Sequence, residues 1–558
     1  MNQNPNPSQN PYAGMPTAYP PQPTRPKPQV DPLTKREGVL LLIAIFLSAF
    51  LSLFTLGGGF KLGFTISYLL FLVLSTVYLL PLKKVRPYSA ACGVLAAASS
   101  LLFSLFADPL IHAFAFCAMA LLTAVYLLGI SGAARFPDGG YRSFFDIIHL
   151  LFVDPFIHIR DLFYAARPRG DGKGKGAGTL GKVLLGVALA FPVLCVVVPL
   201  LASSDAAFSG MLESITKWIS FFEVFLVFFG VVCSPLYLSL LYGLRHPEKT
   251  PPPKGDAKVA DPTVIKVFFS AIAVFYVVYL VSQLAYFANG FSGILPAGYE
   301  FTRAEYARRG FFEMAIIAAI NLAVLFVAHI LTKENSRGAK IYNTAVSVFI
   351  CCFTLFIITT AFAKMYFYIE NFGLTRLRMG TSAFMILLTL FFLAAILRLF
   401  FPKFPYMKAA ILSLGLVVAV VGFADIDRCV ASYNTHMYET APEKGIIMDR
   451  YTLSGLSDSA IPYMLRLLHA EDDAVAGPVR RELQIRFNFY YEKDADGNFV
   501  KTRNANTGLR AWNMTLRKTQ DLLLSYADEL YVEDPNALWE YEAAEDMYAE
   551  DSEVWQEQ

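Results

Sequence analysis

Residues 38–81 read GVLLLIAIFLSAFLSLFTL, then GGGFK, then LGFTISYLLFLVLSTVYLLP. Two apolar blocks of 19 and 20 residues flank a five-residue turn, and neither block contains Asp, Glu, Lys or Arg. A helix rises about 1.5 Å per residue, so each block crosses the roughly 30 Å of hydrocarbon in a bilayer. The pattern recurs along the chain. Spans are expected near 38–56, 62–81, 88–107, 109–131, 179–202, 221–243, 264–287, 310–332, 341–368, 379–401 and 408–425, about eleven in all.

Composition agrees with that reading. The 558 residues are 55% hydrophobic and 16% charged, with a mean hydropathy of +0.47, whereas soluble domains carry roughly 25% charged residues. A cytosolic enzyme, a disulfide-stapled secreted scaffold and a nucleic-acid-binding module are excluded. Six of the seven cysteines (Cys92, Cys117, Cys195, Cys233, Cys351, Cys352) fall inside apolar segments, where Cys acts as a small hydrophobe. No C-x-x-C pair occurs, so neither a zinc site nor a redox motif is indicated.

The net charge of +2 conceals two opposed halves. From Asp425 to Gln558 there are 26 Asp and Glu against 13 Lys and Arg, a net of −13, while the rest of the chain carries +15. Three regions follow: a proline-rich segment 1–34, expected to be disordered, a membrane domain 35–425, and a separate acidic, water-soluble domain 426–558. Residues 1–32 hold ten prolines among Asn, Gln and Ser, too little apolar surface to fold. That segment is expected to be a flexible cytoplasmic tail or an arm for a proline-reading partner.

Basic residues mark one side. Lys35 and Arg36, Lys83, Lys84 and Arg86, Arg167 to Lys182, Arg245 to Lys258, Lys333 to Lys340, and Lys403 with Lys408 all fall in alternate loops. By the positive-inside bias this side is cytoplasmic. The N-terminus is then inside and, with an odd number of spans, the acidic domain is extracytoplasmic. Two basic clusters, near Arg303–Arg309 and at Arg376–Arg378, break the bias.

Tyr141 to Ala166 mixes Phe, Ile and Leu with Asp146, His149, Asp154, His158, Arg160 and Asp161. It is expected as an interfacial helix broken at Pro155, its polar residues facing water. Ser203 to Ser220 reads the same way on the other side. The acidic domain reads as mainly helical, with Ile461, Met464, Leu465 and Leu468 on one face after a Ser457 or Asp458 cap. A longer helix is expected over Asn506–Tyr531 and an acidic one over Pro535–Tyr548. Asp496-Gly497, between Phe-, Tyr- and Val-bearing runs, signals a β-hairpin across Tyr490–Thr502.

Candidate chemistry is sparse. Asp146/His149 and His158/Asp161 have the i, i+3 spacing of metal ligands, but Pro155 interrupts the helix between the pairs, and water-facing polar groups on an interfacial helix account for them better. Asp494, Asp496 and Asn498 begin like a calcium loop yet lack its closing bidentate Glu, so the hairpin turn explains them better. Ionisable groups inside or at the edges of spans are costly to bury; Glu223, Glu313, His112, His329 and Lys364 qualify. The densest polar cluster expected outside combines Glu300, Arg303, Glu305, Tyr306, Arg308, Arg309 and Glu313 with Lys364, Glu370, Arg376 and Arg378. Arginines on that side need something specific to hold them. Two readings stand: an ion-paired lid against the acidic domain, or a pocket for an anionic headgroup or glycan phosphate.

Three blocks carry a resemblance. LPAGYEFTRAEYARRGFFE (295–313), YIENFGLTRLRM (368–379) and RCVASYNTHMYETAPEKGIIMDRYTLSGLSDSAIPYMLRL (428–467) resemble bacterial multi-pass membrane proteins of the domain of unknown function 4173 type (DUF4173), related to the DUF4153 group. The resemblance implies a bacterial cell-membrane protein with a short soluble element after its last span. It transfers no activity and no catalytic residue.

Walker, Rossmann, G-x-S-x-G, H-E-x-x-H and kinase signatures are missing. The Gly57–Lys61 turn is too short for the acidic site of a lipid-linked-sugar glycosyltransferase. Pro192 and Pro235 are the nearest approach to the broken spans of transporters. The fold expected is an all-α polytopic membrane protein with a mainly helical soluble domain and a hairpin. No catalytic, cofactor-binding or metal-binding residue is expected, and no cofactor. The leading function is non-enzymatic envelope sensing, assembly or scaffolding, with the bilayer and a membrane or envelope protein as partners and no nucleic acid. A carrier or flippase for an anionic lipid or envelope precursor is the alternative, and a membrane-embedded transferase the third. A carrier needs polar groups at the bilayer midplane, where only His329, Asn321 and Gln283 qualify.

Overall fold

The computed structural model describes residues 33–80, 87–165, 221–247, 261–290, 311–331, 337–441, 455–505 and 508–534, with isolated positions between 186 and 211. Among the described residues, ten helices are long and apolar enough to cross a membrane. The chain is an all-α polytopic membrane protein with a small β-hairpin near its C-terminus. The spans are α1 (Lys35–Leu56), α2 (Leu62–Leu79), α3 (Pro87–Ser100) continued by α4 (Leu102–Leu105), and α5 (Pro109–Ser131). After α6 (Ser143–Phe152), α7 (Asp154–Ile157) and α8 (Ile159–Ala165) come α9 (Phe221–Arg245), α10 (Pro262–Gly290), α11 (Phe311–Leu331), α12 (Arg337–Phe372), α13 (Arg376–Phe400) and α14 (Tyr406–Ala424). The expected span 179–202 and the segment Ser203–Ser220 lie largely outside the described residues, as do the whole of 1–32 and 535–558.

Local sequence fixes the helix starts. Thr34 and Glu37 form a reciprocal capping box at α1, the Glu37 carboxylate accepting the Thr34 amide at 2.8 Å. Asp108 caps α5 through the Leu110 amide at 2.8 Å, with Pro109 at the first helical position, where its missing N–H costs nothing. Thr375 caps α13 through the Arg378 amide at 3.3 Å.

Several basic residues of the alternate loops meet at one end of the bundle. At one end of the bundle Arg245 holds the buried Glu37 and donates to the Tyr78 carbonyl at 2.6 Å, tying α9 to α1 and α2. Arg398 and Asp138 pair at 3.4 Å at the same end, and Lys408 donates to the Pro137 carbonyl. The residues after Asp425 sit at the opposite end. Ala165 and Glu223 stand at opposite ends too, the first bonded to Leu33 and the second to Arg510.

The expected interfacial helix forms as three short helices, α6 to α8, interrupted at Val153 and His158 rather than at Pro155, which lies in the first turn of α7. Its polar residues are not all turned to water. Asp146 and His158 are buried, and Asp146 accepts the Phe136 amide at 2.8 Å, so this segment closes that end of the bundle.

Beyond Asp425, whose φ of +58° turns the chain sharply out of α14, α15 (Ile426–Thr440) leads away. Ile461, Met464, Leu465 and Leu468 are buried, as their spacing predicts, in a mixed 3₁₀ and α turn containing α16 (Ile461–Met464). Then come α17 (Asp473–Tyr490) and the antiparallel strands β1 (Tyr491–Lys493) and β2 (Phe499–Lys501), joined through Gly497 at φ +83°. In that turn the Asp494 carboxylate accepts the Asp496 and Asn498 amides at 3.0 and 2.8 Å, which settles its part as turn chemistry. The long helix expected over Asn506–Tyr531 is shorter. It is α18 (Met514–Leu524), started by an Asn513 cap and followed by α19 (Ala527–Leu530).

Among the described residues there are two apolar cores. One fills the bundle and takes in α6 and α8. The other joins Ile461, Met464, Leu483 and Phe487 to Phe64, Leu102, Phe103, Ile111 and Met119 on the membrane helices. The tail segment therefore shares its core with the end of the bundle on which it sits.

Candidate functional site

The junction between tail and bundle concentrates buried charge. Asp427, two residues past Asp425, is wholly buried; both its oxygens accept from Arg376, through Nε and Nη2, and one also accepts the Ser457 amide at 2.7 Å. Such a bidentate fork is the geometry guanidinium favours. Asn434 of α15 accepts the Leu374 amide and donates to its carbonyl, both at 2.8 Å, so the α12–α13 turn is clamped from two sides.

The second clamp is Asn513. Its amide nitrogen donates to the Phe106 carbonyl at 2.6 Å and the Phe103 carbonyl at 3.2 Å, while its oxygen caps α18. Thr515 donates to the Leu105 carbonyl at 2.7 Å. The C-terminal carbonyls of α4, orphaned by the end of the helix, are satisfied from the tail. A third contact runs to the α1–α2 turn, where the Leu62 amide donates to the Trp512 carbonyl at 3.1 Å, and Arg510 pairs with Glu223 at the start of α9 at 2.7 Å.

Close approach there depends on glycine. A Cβ on Gly58 would lie 2.5 Å from the Arg510 carbonyl oxygen, and one on Gly63 would lie 2.1 Å from that of Phe54.

Two further carboxylates lie close to Asp427. Asp108 and Asp425 are buried near Asp427, and the Asp108 Oδ2 atom has no hydrogen-bond partner. Burial first, and the Asp427 charge second, push the Asp108 carboxyl up from its ordinary value. Burial chiefly does the same to Asp425.

A cavity of about 990 Å³ opens beside the clamps, lined by Lys61, His112, Arg376, Asp458, Tyr490 and Asn513 among others. Asp458 pairs with Arg486 at 3.4 Å and accepts the Tyr490 hydroxyl at 2.6 Å. Burial and that carboxylate push the Tyr490 phenol up, so it stays a donor. His112 stacks on Phe103 with ring centroids 4.5 Å apart, and its Nε2 lies 3.0 Å from the Phe106 carbonyl. A carbonyl can only accept, so that nitrogen carries the proton.

The expected polar cluster is distributed differently from its sequence grouping. Glu300, Arg303, Glu305, Tyr306, Arg308 and Arg309 lie outside the described residues. Arg376 belongs to the Asp427 clamp. Arg378 donates to the Phe372 carbonyl at 2.7 Å and to that of Gly373, and its guanidinium lies 4.1 Å from the Tyr368 ring centroid. These contacts are what hold arginines against the positive-inside bias. Glu313 is exposed at the start of α11, close enough for its charge to act on Lys364 of α12, and Glu370 is half-buried near the end of α12.

Sequence reading passed over Asp427, Asp108, Lys61 and Asn513. The Asp-Pro step at 108–109 and the Asp-Ile-Asp run at 425–427 were the available signals. Of the midplane polar residues, Asn321 accepts the Tyr276 hydroxyl and donates to Thr354 at 2.9 Å, joining α10, α11 and α12. His329 lies 2.7 Å from the Leu325 carbonyl of its own helix. Gln283's side chain lies outside the described residues. Among the described residues no group of three or more His, Cys, Asp or Glu could hold a metal ion.

Fold and junction together define a polytopic α-helical membrane protein whose post-membrane segment is seated on one end of its bundle. The chain belongs to the family described as Domain of unknown function (DUF4153), whose model matches residues 90–467. That match runs from α3 to the 3₁₀ turn at Leu467 and so includes both Arg376 and Asp427. No curated protein and no solved structure matches the chain.

Proposed function

We propose that the chain is a non-enzymatic protein of a bacterial cytoplasmic membrane, of the DUF4173 type related to its family. Residues 1–34 form a cytoplasmic tail, 35–425 the membrane domain and 426–558 an extracytoplasmic domain. Its work is envelope sensing, assembly or scaffolding: the seated segment passes the arrangement of the membrane helices to a protein partner, or imposes one on them.

The observation that carries this reading is the Arg376–Asp427 clamp. Among the described residues, a wholly buried carboxylate on the segment after the last span is ion-paired only with the first residue of α13, so the segment's position and the helix packing depend on each other. The lysines and arginines at the end opposite the tail support the orientation. Engagement of Asn321 in bonds to Tyr276 and Thr354 counts against a carrier, because the residue serves packing among α10, α11 and α12.

Photo-crosslinking in intact cells tests the reading, with the probe at Asp496, exposed at the hairpin turn. Crosslinks to a defined envelope protein should form, and should disappear in Asp427→Asn while the chain remains in the membrane. Crosslinks to lipid alone, with labelled lipid redistributing across reconstituted vesicles, would instead establish the carrier.

A further inference from the structure

The cavity beside the clamps has two unlike limbs. Its upper limb, against the tail, carries Lys61, Arg376, Ser457 and Asn513. Its lower limb follows one face of α5 through Pro109, His112, Ala113, Phe116 and Cys117, a spacing of three and four residues that descends about 12 Å at 1.5 Å per residue. Ala113, Phe116 and Cys117 are exposed among the described residues. The apolar limb therefore runs out onto the lipid-facing side of a membrane helix.

Charge in the upper limb is not balanced in place. Asp458 is already engaged by Arg486 and Tyr490. Arg376 gives Nε and Nη2 to Asp427, which leaves Nη1 outside that fork, and the residue lines the cavity. The Lys61 ammonium has no ion pair or hydrogen bond with any described residue, though burial acts against its charge and Asp458 supports it from a distance. A compact cation held at a polar–apolar step, without a partner, fits a compact anion attached to a chain.

We propose that this cavity binds one phospholipid from the leaflet on the tail side, its phosphate at Lys61 and the free edge of Arg376, and the start of an acyl chain along Ala113, Phe116 and Cys117. The site adds a ligand to the scaffolding reading and stands or falls separately from it. Free phosphate shares the headgroup chemistry but leaves the apolar limb empty, so the two sources are separable.

Binding of dioctanoyl phosphatidylglycerol to the purified full chain in detergent tests the proposal, with glycerol phosphate as the chainless comparison. Lys61→Gln and Ala113→Trp, the second filling the apolar limb without altering charge, should each weaken lipid binding at least tenfold. Lys403→Gln, at the opposite end, should leave it unchanged. Equal binding by all three variants overturns the site. Glycerol phosphate binding as tightly as the lipid overturns the lipid assignment. If Lys61→Gln melts well below wild type, Ala113→Trp alone decides.

Discussion

Arg376 and Asp427 stand 51 residues apart, one opening a membrane helix and the other just past the last span, and they meet through two parallel hydrogen bonds at the root of the tail segment. Removing one member leaves the other charge desolvated. Arg376→Ala is expected to cost about 3–5 kcal/mol, read as a lower melting temperature of the tail segment. Asp427→Asn, which keeps an acceptor for the Ser457 amide, should cost less.

Asn513→Ala removes an N-cap and two donations to α4 carbonyls together. A cap alone is worth about 1 kcal/mol, and a stranded buried carbonyl about 1–3 kcal/mol more. Protease cleavage between α18 and the hairpin should accelerate, with the membrane helices unaffected by circular dichroism. Asn513→Asp, which caps but cannot donate as an ionised carboxylate, should restore only the helix share.

Acid should favour the seated state. The Asp108 and Asp425 carboxyls are raised in the folded chain, so the folded state holds more protons than the unfolded one between their ordinary and raised values. Their contribution is full below the ordinary carboxylate range and is lost as pH rises through the raised values. Melting temperature should therefore fall with rising pH across that window. Asp108→Asn, which retains a capping oxygen, should flatten the slope and raise stability at neutral pH.

Gly63→Ala tests the close approach of α2 to the preceding turn. The new methyl would collide with the Phe54 carbonyl and would also lie 3.0 Å from that of Arg510. Overpacking of this kind costs about 1–3 kcal/mol. Faster hydrogen exchange at the Leu62 amide would show the turn lifting from Trp512.

The membrane half was legible because lipid leaves no alternative: a spanning segment must satisfy its own backbone and be about 20 residues long. Residues 38–56 matched α1 to within its charged first turn, and Asp496-Gly497 located the hairpin. The Asn506–Tyr531 expectation overran because its apolar spacing ignored Trp512, which is extended with ψ 134°, and the Asn513 cap after it. The junction was illegible for a different reason. Asn513 meets Phe106 across 407 positions, and within a net charge of −13 Asp427 looks like any other acidic residue. Arginines against the positive-inside bias did point to a holding partner, but nothing local identified it.

Seating of the tail on the bundle is most directly read by hydrogen exchange at residues 513–524 in Arg376→Ala, Asp427→Asn and the double variant. If the clamp sets that seat, each single variant loses protection and the double loses less than the sum of the two. Protection unchanged in both single variants, or losses that simply add, would mean that the tail is held without the clamp.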